Sequence, residues 1–176
     1  MYAFASVQKS FDISDKKVAI ADIGGASTEI VLASAGHVEA IYGTKLGALR
    51  LTESYCSHQL LFGDDYRPLT KAIDRELKKR IGKPPFHPHV LYGSGGTLTN
   101  LASMLRAARG DAAEPDWGFR ITRADVRHQL ELLPKMTVKQ RPSVAGLNSD
   151  RADIIVAGMM VVDRLMQYLN PQPWCA

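Results

Sequence analysis

Residues 18–33 read VAIADIGGASTEIVLA, which is two short apolar runs on either side of a glycine turn. Apolar runs of this length, bounded by turn residues, are typical of buried strands. We therefore predict strands at Val18–Ile23 and Thr28–Ala33, and a third at His37–Tyr42 after another glycine turn. Strands joined by such tight turns pair with their neighbours in sequence, so these three are predicted to form an antiparallel meander.

Beyond the meander, helical patterns surround one further strand. Leu69, Ile73 and Leu77 recur at every fourth position, which places one apolar stripe on a helix. Thr122 and Asp125 have the spacing of a capping box at the start of another helix. The predicted elements are helices at Leu51–Leu60, Arg67–Ile81, Thr97–Arg109, Thr122–Leu133 and Asp150–Leu169, a strand at His89–Tyr92, and the end of an amphipathic helix at the N-terminus.

The order strand, strand, strand, helix, strand, helix is that of a ribonuclease H-like half-domain, the unit from which actin-like ATPases are built. The predicted fold class is therefore α/β, with a mixed sheet whose antiparallel three-strand meander is flanked by helices. A chain of 176 residues is long enough for one hydrophobic core of ordinary size, so residues 1–176 are predicted to form a single domain.

The composition is that of a folded domain. Hydrophobic residues make up 45% and charged residues 23%, close to the globular average, which disfavours disorder and fibrous repeats. The net charge of +4 permits an anionic ligand without indicating nucleic acid. Cys56 and Cys175 have no metal-binding or disulfide spacing, and the longest apolar stretch, Ile154–Val162, is too short to span a bilayer. We expect a cytoplasmic protein that binds neither nucleic acid nor a membrane.

The turn between the first two strands is the first candidate site. Gly24, Gly25 and Ala26 have little or no side chain, so consecutive backbone N–H groups can enclose an anion there. Asp22 ends a buried strand and Glu29 lies in the returning strand, so a hairpin brings both carboxylates to one end of the sheet. A hydrated Mg²⁺ shared with phosphate oxygens would stabilise such a carboxylate. The alternative is an ordinary hairpin turn in which Asp22 caps backbone amides and Glu29 is solvated.

Residues 92–97, YGSGGT, are the second candidate site, between a strand and a helix. The N-terminus of a helix presents unpaired N–H groups and a partial positive charge, which favour a phosphate. The alternative is a tight strand-to-helix turn with Thr97 as the cap. Two such turns in one small domain favour anion binding, which requires the residues around Asp22 and around Ser94 to converge on one pocket that is open to solvent.

These two turns, with residues 45–53 (KLGALRLTE) and 146–158 (GLNSDRADIIVAG), resemble the exopolyphosphatase and guanosine pentaphosphate phosphohydrolase (Ppx/GppA) family of the actin, sugar kinase and Hsp70 superfamily. The four motifs occur in the family's order and extend over most of the chain. The resemblance implies a phosphoanhydride hydrolase that acts on inorganic polyphosphate or pppGpp, with Mg²⁺ and an attacking water in a cleft between two similar domains.

The resemblance also implies roles for individual residues. Asp22 and Glu29 correspond to the family's metal-binding and water-organising, catalytic carboxylates. Arg50 is either a further positive contact or a structural arginine, and Arg151 and Asp153 are expected to form local ion pairs at a helix start. The two phosphate-binding loops correspond to Gly24, Gly25, Ser27 and Thr28, and to Gly93, Ser94, Gly95, Gly96 and Thr97.

Members of the family begin with another ribonuclease H-like domain, which carries its own phosphate loop and a catalytic glutamate, and they continue with a further strand after the last long helix. Neither part matches this sequence. We therefore expect the chain to be the second half of the catalytic core, with the missing N-terminal domain as its partner and with little turnover alone.

Two other classes of function stay open. One is a nucleotide-binding domain of the same superfamily, and the other is a non-catalytic interaction module whose sheet edges pair with a partner or with a second copy in a homodimer. Seven basic residues in Arg67–Lys83 outnumber Asp74 and Glu76. This segment is either a path for polyphosphate or a solvated helix face.

Overall fold

The computed structural model describes residues 2–56, 66–110 and 118–169. A four-stranded sheet forms its centre, with strands β1 (Lys17–Ile23), β2 (Thr28–Ser34), β3 (His37–Thr44) and β4 (Val90–Ser94). The order across the sheet is β3-β2-β1-β4; β1 pairs antiparallel with β2 and parallel with β4. The mixed sheet with an antiparallel meander is therefore confirmed.

Helices flank the sheet on both faces. None of those in the described residues has the length and apolar character to cross a membrane, since even α6 has only 15 residues. Short 3₁₀ turns occur at Leu133–Lys135, Arg141–Ser143 and Ser149–Arg151. The α-helices are α1 (Tyr2–Ser10), α2 (Ala48–Tyr55), α3 (Arg67–Arg80), α4 (Gly96–Arg109), α5 (Arg123–Leu132) and α6 (Ile155–Leu169).

Alternation along the strands separates two apolar clusters. Val18 and Ile20 lie on the face of the sheet that α1 covers. Ala19 and Ala21 lie on the other face, in the larger core that includes buried residues of α2 to α6. Successive side chains of a strand point to opposite faces of the sheet. Asp22, near the end of β1, therefore lies on the same face as Val18 and Ile20, which is the face that α1 covers.

Helix α2 differs from its predicted bounds of Leu51–Leu60. It begins earlier, at Ala48, because carbonyl groups of the turn after β1 accept hydrogen bonds from its first amides. It ends at Tyr55, and residues 57–60 of the prediction lie outside the described residues. Cys56 follows as a free, half-buried thiol whose pKa is raised by burial, whereas Cys175 lies outside the described residues.

Helix α6 begins at Ile155 and not at the predicted Asp150. The preceding residues form a tighter turn in which Arg151 N–H donates to the Asn148 carbonyl, and the Asn148 side chain accepts from Asp150 N–H. Asparagine favours such local hydrogen bonds over the α-helix, which explains the later start. The predicted capping box of α5, formed by Thr122 and Asp125, is present.

The N-terminal turn of α4 packs directly against α6 at Gly158. A Cβ atom added to Gly158 would lie 2.4 Å from the Thr97 hydroxyl oxygen and 2.7 Å from its methyl carbon. Thr97 is buried and β-branched, so its side chain has little freedom to move away. This contact fixes the start of α4 relative to α6.

We predict that Gly158→Ala lowers the free energy of unfolding by about 1–3 kcal/mol, because the added methyl overlaps Thr97. Urea denaturation followed by circular dichroism measures the loss. Gly43→Ala is the matched control, since no atom lies within 4 Å of a Cβ placed there. It should leave stability unchanged or raise it by up to about 1 kcal/mol. Equal losses for the two variants would contradict the packing argument.

Candidate functional site

One end of the sheet carries a row of polar and glycine residues. The pairing of β1 with β2 sets Asp22 opposite Glu29, and its pairing with β4 sets Asp22 opposite Ser94. Gly43 of β3 lies opposite Glu29 and completes the row across all four strands. Directly opposite residues share one face of a sheet. The two predicted turns therefore converge at this end, as the anion-binding interpretation requires.

Gly95 brings the second turn into contact with the first. Its φ of +95° is a conformation that residues with a side chain rarely adopt. A Cβ atom here would lie 2.4 Å from the Ile23 carbonyl oxygen and 3.0 Å from Oδ1 of Asp22. Only glycine therefore allows the turn after β4 to lie against the end of β1 and the Asp22 carboxylate.

The first turn is held by the start of α2. Gly24 and Gly25 carbonyls accept hydrogen bonds of 3.0 and 3.1 Å from Ala48 N–H and Arg50 N–H, respectively. The Arg50 Nε also donates to the Ala26 carbonyl at 3.0 Å. Of the two roles considered for Arg50, the structural one is therefore present in the structure. These bonds direct the turn's carbonyl groups towards α2.

The same arrangement leaves amides of the first turn available. Within the described residues, no backbone or side-chain acceptor pairs with the N–H groups of Gly25, Ala26 and Ser27. Ala26 and Ser27 are exposed, and Gly25 is half-buried. Consecutive unpaired amides in an exposed glycine turn are the donor arrangement that anions bind.

The second turn adds the first amides of α4 and a buried hydroxyl. The Gly95 carbonyl accepts hydrogen bonds from the N–H groups of Leu98 and Thr99, so the first turn of α4 is hydrogen-bonded from its N-cap residue onward. The hydroxyl oxygen of Ser94 is buried and has no hydrogen-bond partner among the described residues. A buried hydroxyl without a partner costs free energy, which makes this atom a candidate acceptor or donor for a bound group.

Arg151 lies against the start of α4, a position that the sequence analysis did not foresee. Its Cζ, Nη2 and Nε atoms are 3.0, 3.2 and 3.3 Å from the point where a Cβ of Gly96 would lie. The Arg151 guanidinium forms no hydrogen bond or ion pair with any described residue. The expected local ion pair is therefore wrong for Arg151, because the 3₁₀ turn directs its side chain to Gly96. Its guanidinium is available to an anion.

Three of the predicted phosphate ligands do not face this site with their side chains or Cα atoms. The Thr28 hydroxyl donates to the Leu46 carbonyl, and Thr28 and Thr97 are only 1% and 5% exposed. Gly93 pairs with Ala21 and lies on the opposite face of the sheet, where Leu98 would contact its Cβ at 2.2 Å. These residues shape the two turns by packing, and the roles of the remaining predicted residues stay predictions.

Side chains of both charges lie at or beside the row, two carboxylates and two guanidinium groups. Asp22 is exposed and Glu29 is half-buried, and the side chains of Arg50 and Arg151 lie against the first turn at Ala26 and the second turn at Gly96, respectively. No group of three or more histidine, cysteine or carboxylate side chains that would hold a metal occurs among residues 2–56, 66–110 and 118–169. Any metal at this row would therefore take few protein ligands.

Two further surface features lie on helices α5 and α3. A shallow depression of about 390 Å³ lies along the outer side of α5, from Arg123 to Glu131. On α3, both acidic residues are paired, Glu76 with Arg80 at 3.1 Å and Asp74 with Arg164 at 2.7 Å. These pairs do not decide between the two interpretations of the basic segment, a path for polyphosphate or a solvated helix face, and both stay predictions.

The family model of the Ppx/GppA phosphatases matches residues 1–175. The chain belongs to this family. It is 29% identical over 152 residues to exopolyphosphatase 2 of Mycobacterium tuberculosis, a match that covers 86% of this chain and 47% of that protein. It is 27% identical over 170 residues to the bifunctional 3-dehydroquinate synthase/phosphatase of Fusobacterium nucleatum, covering 95% of this chain and 25% of the relative.

Solved structures show the same fold. A Ppx/GppA phosphatase of Aquifex aeolicus superposes with a TM-score of 0.83 and 22% identity, over 96% of this chain and 55% of that one. An exopolyphosphatase of Cytophaga hutchinsonii gives 0.82 and 22%, over 94% and 54%. This Ppx/GppA chain thus spans about half the length of the exopolyphosphatases that it matches.

We predict that Gly95→Ala lowers the free energy of unfolding by at least about 2 kcal/mol more than Gly36→Ala does, because its methyl group meets the backbone of Ile23. Gly36 also has a positive φ, +76°, but the nearest atom to its added Cβ is 4.0 Å away. Urea denaturation of both variants measures the difference. Similar losses would mean that backbone conformation alone, and not the contact between the turns, requires glycine at residue 95.

Proposed function

We propose that this Ppx/GppA chain supplies the metal- and phosphate-binding wall of a phosphoanhydride hydrolase that removes the terminal phosphate of inorganic polyphosphate. The observation that carries the proposal is the row in which Asp22 lies opposite both Glu29 and Ser94, between two turns with available amides. The names of the relatives favour polyphosphate as the substrate. A guanosine pentaphosphate has the same terminal phosphoanhydride, so the row alone would accept either.

The residues of the row fit a bound Mg²⁺. This ion keeps most of its waters in proteins and is usually held by one or two carboxylates together with phosphate oxygens. Asp22 and Glu29 provide two carboxylates in directly opposite positions, and a cation bound between them would offset the repulsion of their like charges. When bound, Mg²⁺ supplies neutralisation of charge on the phosphate oxygens.

The protein groups have separate tasks in this proposal. The N–H groups of Gly25, Ala26 and Ser27 would bind oxygens of one phosphate, and the first amides of α4 with Arg151 would bind those of another. Phosphoryl transfer depends mainly on positioning and on neutralising charge, which amides and a guanidinium supply. The Glu29 carboxylate would orient the water that attacks the terminal phosphorus as the bridging P–O bond breaks.

The end of the sheet that carries the row is open to solvent, which affects how fast these residues would hydrolyse a phosphoanhydride. Asp22 of the row and Gly24, Ala26 and Ser27 of the first turn are all exposed, so water has free access to a phosphate bound at this turn. Closing a site excludes bulk water and strengthens its electrostatic interactions. We propose that efficient hydrolysis needs a second surface that covers the row.

We expect the purified 176-residue chain to bind tripolyphosphate more tightly with Mg²⁺ than without it, by about tenfold. Asp22→Asn should abolish this gain, because it removes a carboxylate that faces the ion. Asp15→Asn is the matched control, since Asp15 is exposed and precedes the opposite end of β1. Isothermal titration calorimetry with Mg²⁺ or with a chelator measures the affinities. A gain that survives in Asp22→Asn would contradict the assigned metal site.

We also expect slow phosphate release from long-chain polyphosphate by the same chain, because its row is open to solvent. A colorimetric phosphate assay with Mg²⁺ measures the rate. A turnover of roughly 1–10³ per second, the ordinary range for enzymes, would show that no covering surface is needed. Release that is equal in the wild type and in Glu29→Gln would contradict the role of Glu29.

A further inference from the structure

The turn that carries Arg151 is fastened to α4 by the side chain of Asn100. Oδ1 of Asn100 accepts a hydrogen bond of 2.7 Å from the backbone N–H of Asn148. Nδ2 of the same side chain donates to the Gly96 carbonyl at 2.8 Å. The side-chain amide of Asn100 therefore links Gly96, against which Arg151 packs, to Asn148, where the turn that carries Arg151 begins.

The two bonds of Asn100 fix its amide orientation. One partner is a backbone N–H and can only donate, and the other is a carbonyl and can only accept. A flipped amide would lose both bonds, so the orientation follows from the partners. The link joins segments 48 residues apart in the chain, and it is not a local cap of α4.

The turn is held at its other points as well. Gly146 has a φ of +83°, and a Cβ there would lie 2.4 Å from the Ser103 carbonyl oxygen, so the loop lies directly on α4. Asn148 Oδ1 accepts from Asp150 N–H at 2.9 Å, which makes the turn rigid within itself. Ala152 carbonyl accepts from Nη1 of Arg141 at 3.0 Å.

Arg141, which holds the turn at Ala152, is a buried arginine. It is only 3% exposed, and its guanidinium makes no ion pair with a carboxylate in the described part of the chain. Its Nε donates to the Leu133 carbonyl at 3.2 Å, so it ties the end of α5 to the residue after Arg151. The turn is thus anchored on both sides of Arg151, by Asn100 before it and by Arg141 after it.

We propose that Asn100 is a positioning residue for anion binding, which holds residues 148–152 so that the Arg151 guanidinium stays at the N-terminus of α4. This inference rests on the proposed function, which places a phosphate at the first amides of α4. Binding an anion through Arg151 in a mobile turn would also require that the backbone of the turn become ordered, and a backbone that is already fixed avoids this entropy cost. The affinity that Arg151 contributes therefore depends on Asn100, although Asn100 does not itself need to touch the anion.

Thr99 offers a matched control on the same helical turn. Its hydroxyl donates to the Gly96 carbonyl at 3.2 Å, as the Asn100 side chain does, but it has no bond to residues 148–152. Thr99→Ala therefore removes a hydrogen bond to the same carbonyl and leaves the link to Asn148 in place. Asn100→Ala removes both bonds of Asn100.

The first measurement is amide hydrogen exchange of the full chain without ligand. The Asn148 amide should exchange at least about tenfold faster in Asn100→Ala than in the wild type, because exchange follows the opening of the hydrogen bond. Thr99→Ala should leave that rate within about twofold of the wild type. An Asn148 amide that exchanges equally in both variants would contradict the link, whatever the chain binds.

The second measurement is a double-mutant cycle on tripolyphosphate affinity, by calorimetry in the presence of Mg²⁺. Arg151→Gln should weaken binding about tenfold and Asn100→Ala about fivefold, and the double variant should bind no more weakly than Arg151→Gln alone. Thr99→Ala should stay within about twofold of the wild type.

The outcomes separate the two hypotheses. Losses that multiply in the double variant, or an equal loss in Thr99→Ala, would overturn the role of Asn100 in positioning Arg151. A wild-type chain that does not bind tripolyphosphate would instead contradict the proposed function, while the exchange rates would still decide whether Asn100 holds the turn.

Discussion

The double pairing of β1 is the constraint on which the rest of the structure depends. This strand pairs antiparallel with β2 and parallel with β4, and the two registers place Asp22 beside Glu29 on one side and beside Ser94 on the other. A shift of one residue in either pairing would move one partner to the opposite face of the sheet. The apolar pairs that precede Asp22 hold the register, because Val18 and Ile20 must stay under α1 while Ala19 and Ala21 face the larger core.

Close approach of backbones is the second requirement of this end of the sheet. Gly47 would place a Cβ 2.2 Å from the Gly25 carbonyl oxygen, and Gly95 would place one 2.4 Å from the Ile23 carbonyl oxygen. The turn after β1 thus has α2 on one side and the turn after β4 on the other. Carbonyl groups of this turn accept hydrogen bonds from α2 while its amides remain available, so packing against α2 sets the direction of the turn's peptide groups.

Sequence reasoning recovers the features that rest on local pattern. The meander follows from apolar runs and glycine turns, and the capping box of α5 follows from Thr122 and Asp125, because each signal lies within a few residues. The convergence of Asp22 and Ser94 needs the added assumption that both strands lie side by side and end together. The position of Arg151 could not be predicted this way, since it depends on a 3₁₀ turn, on the absence of a side chain at Gly96 and on a bond from Asn100. The sequence motifs also place Thr28 and Thr97 in phosphate-binding loops, whereas their side chains are buried and contribute to packing.

The parallel pair of β1 and β4 also has a consequence for how the molecule folds. The meander closes through short hairpins, whereas Val18 meets Val90 only after the intervening chain has crossed the sheet. Contacts between residues so distant in sequence carry a large loop-closure entropy and tend to form late in folding. We therefore expect the two turns to come together late in folding, after a hairpin of β1 and β2 that presents only half of the row. Any ligand that requires both turns binds the native state alone and shifts the folding equilibrium towards it.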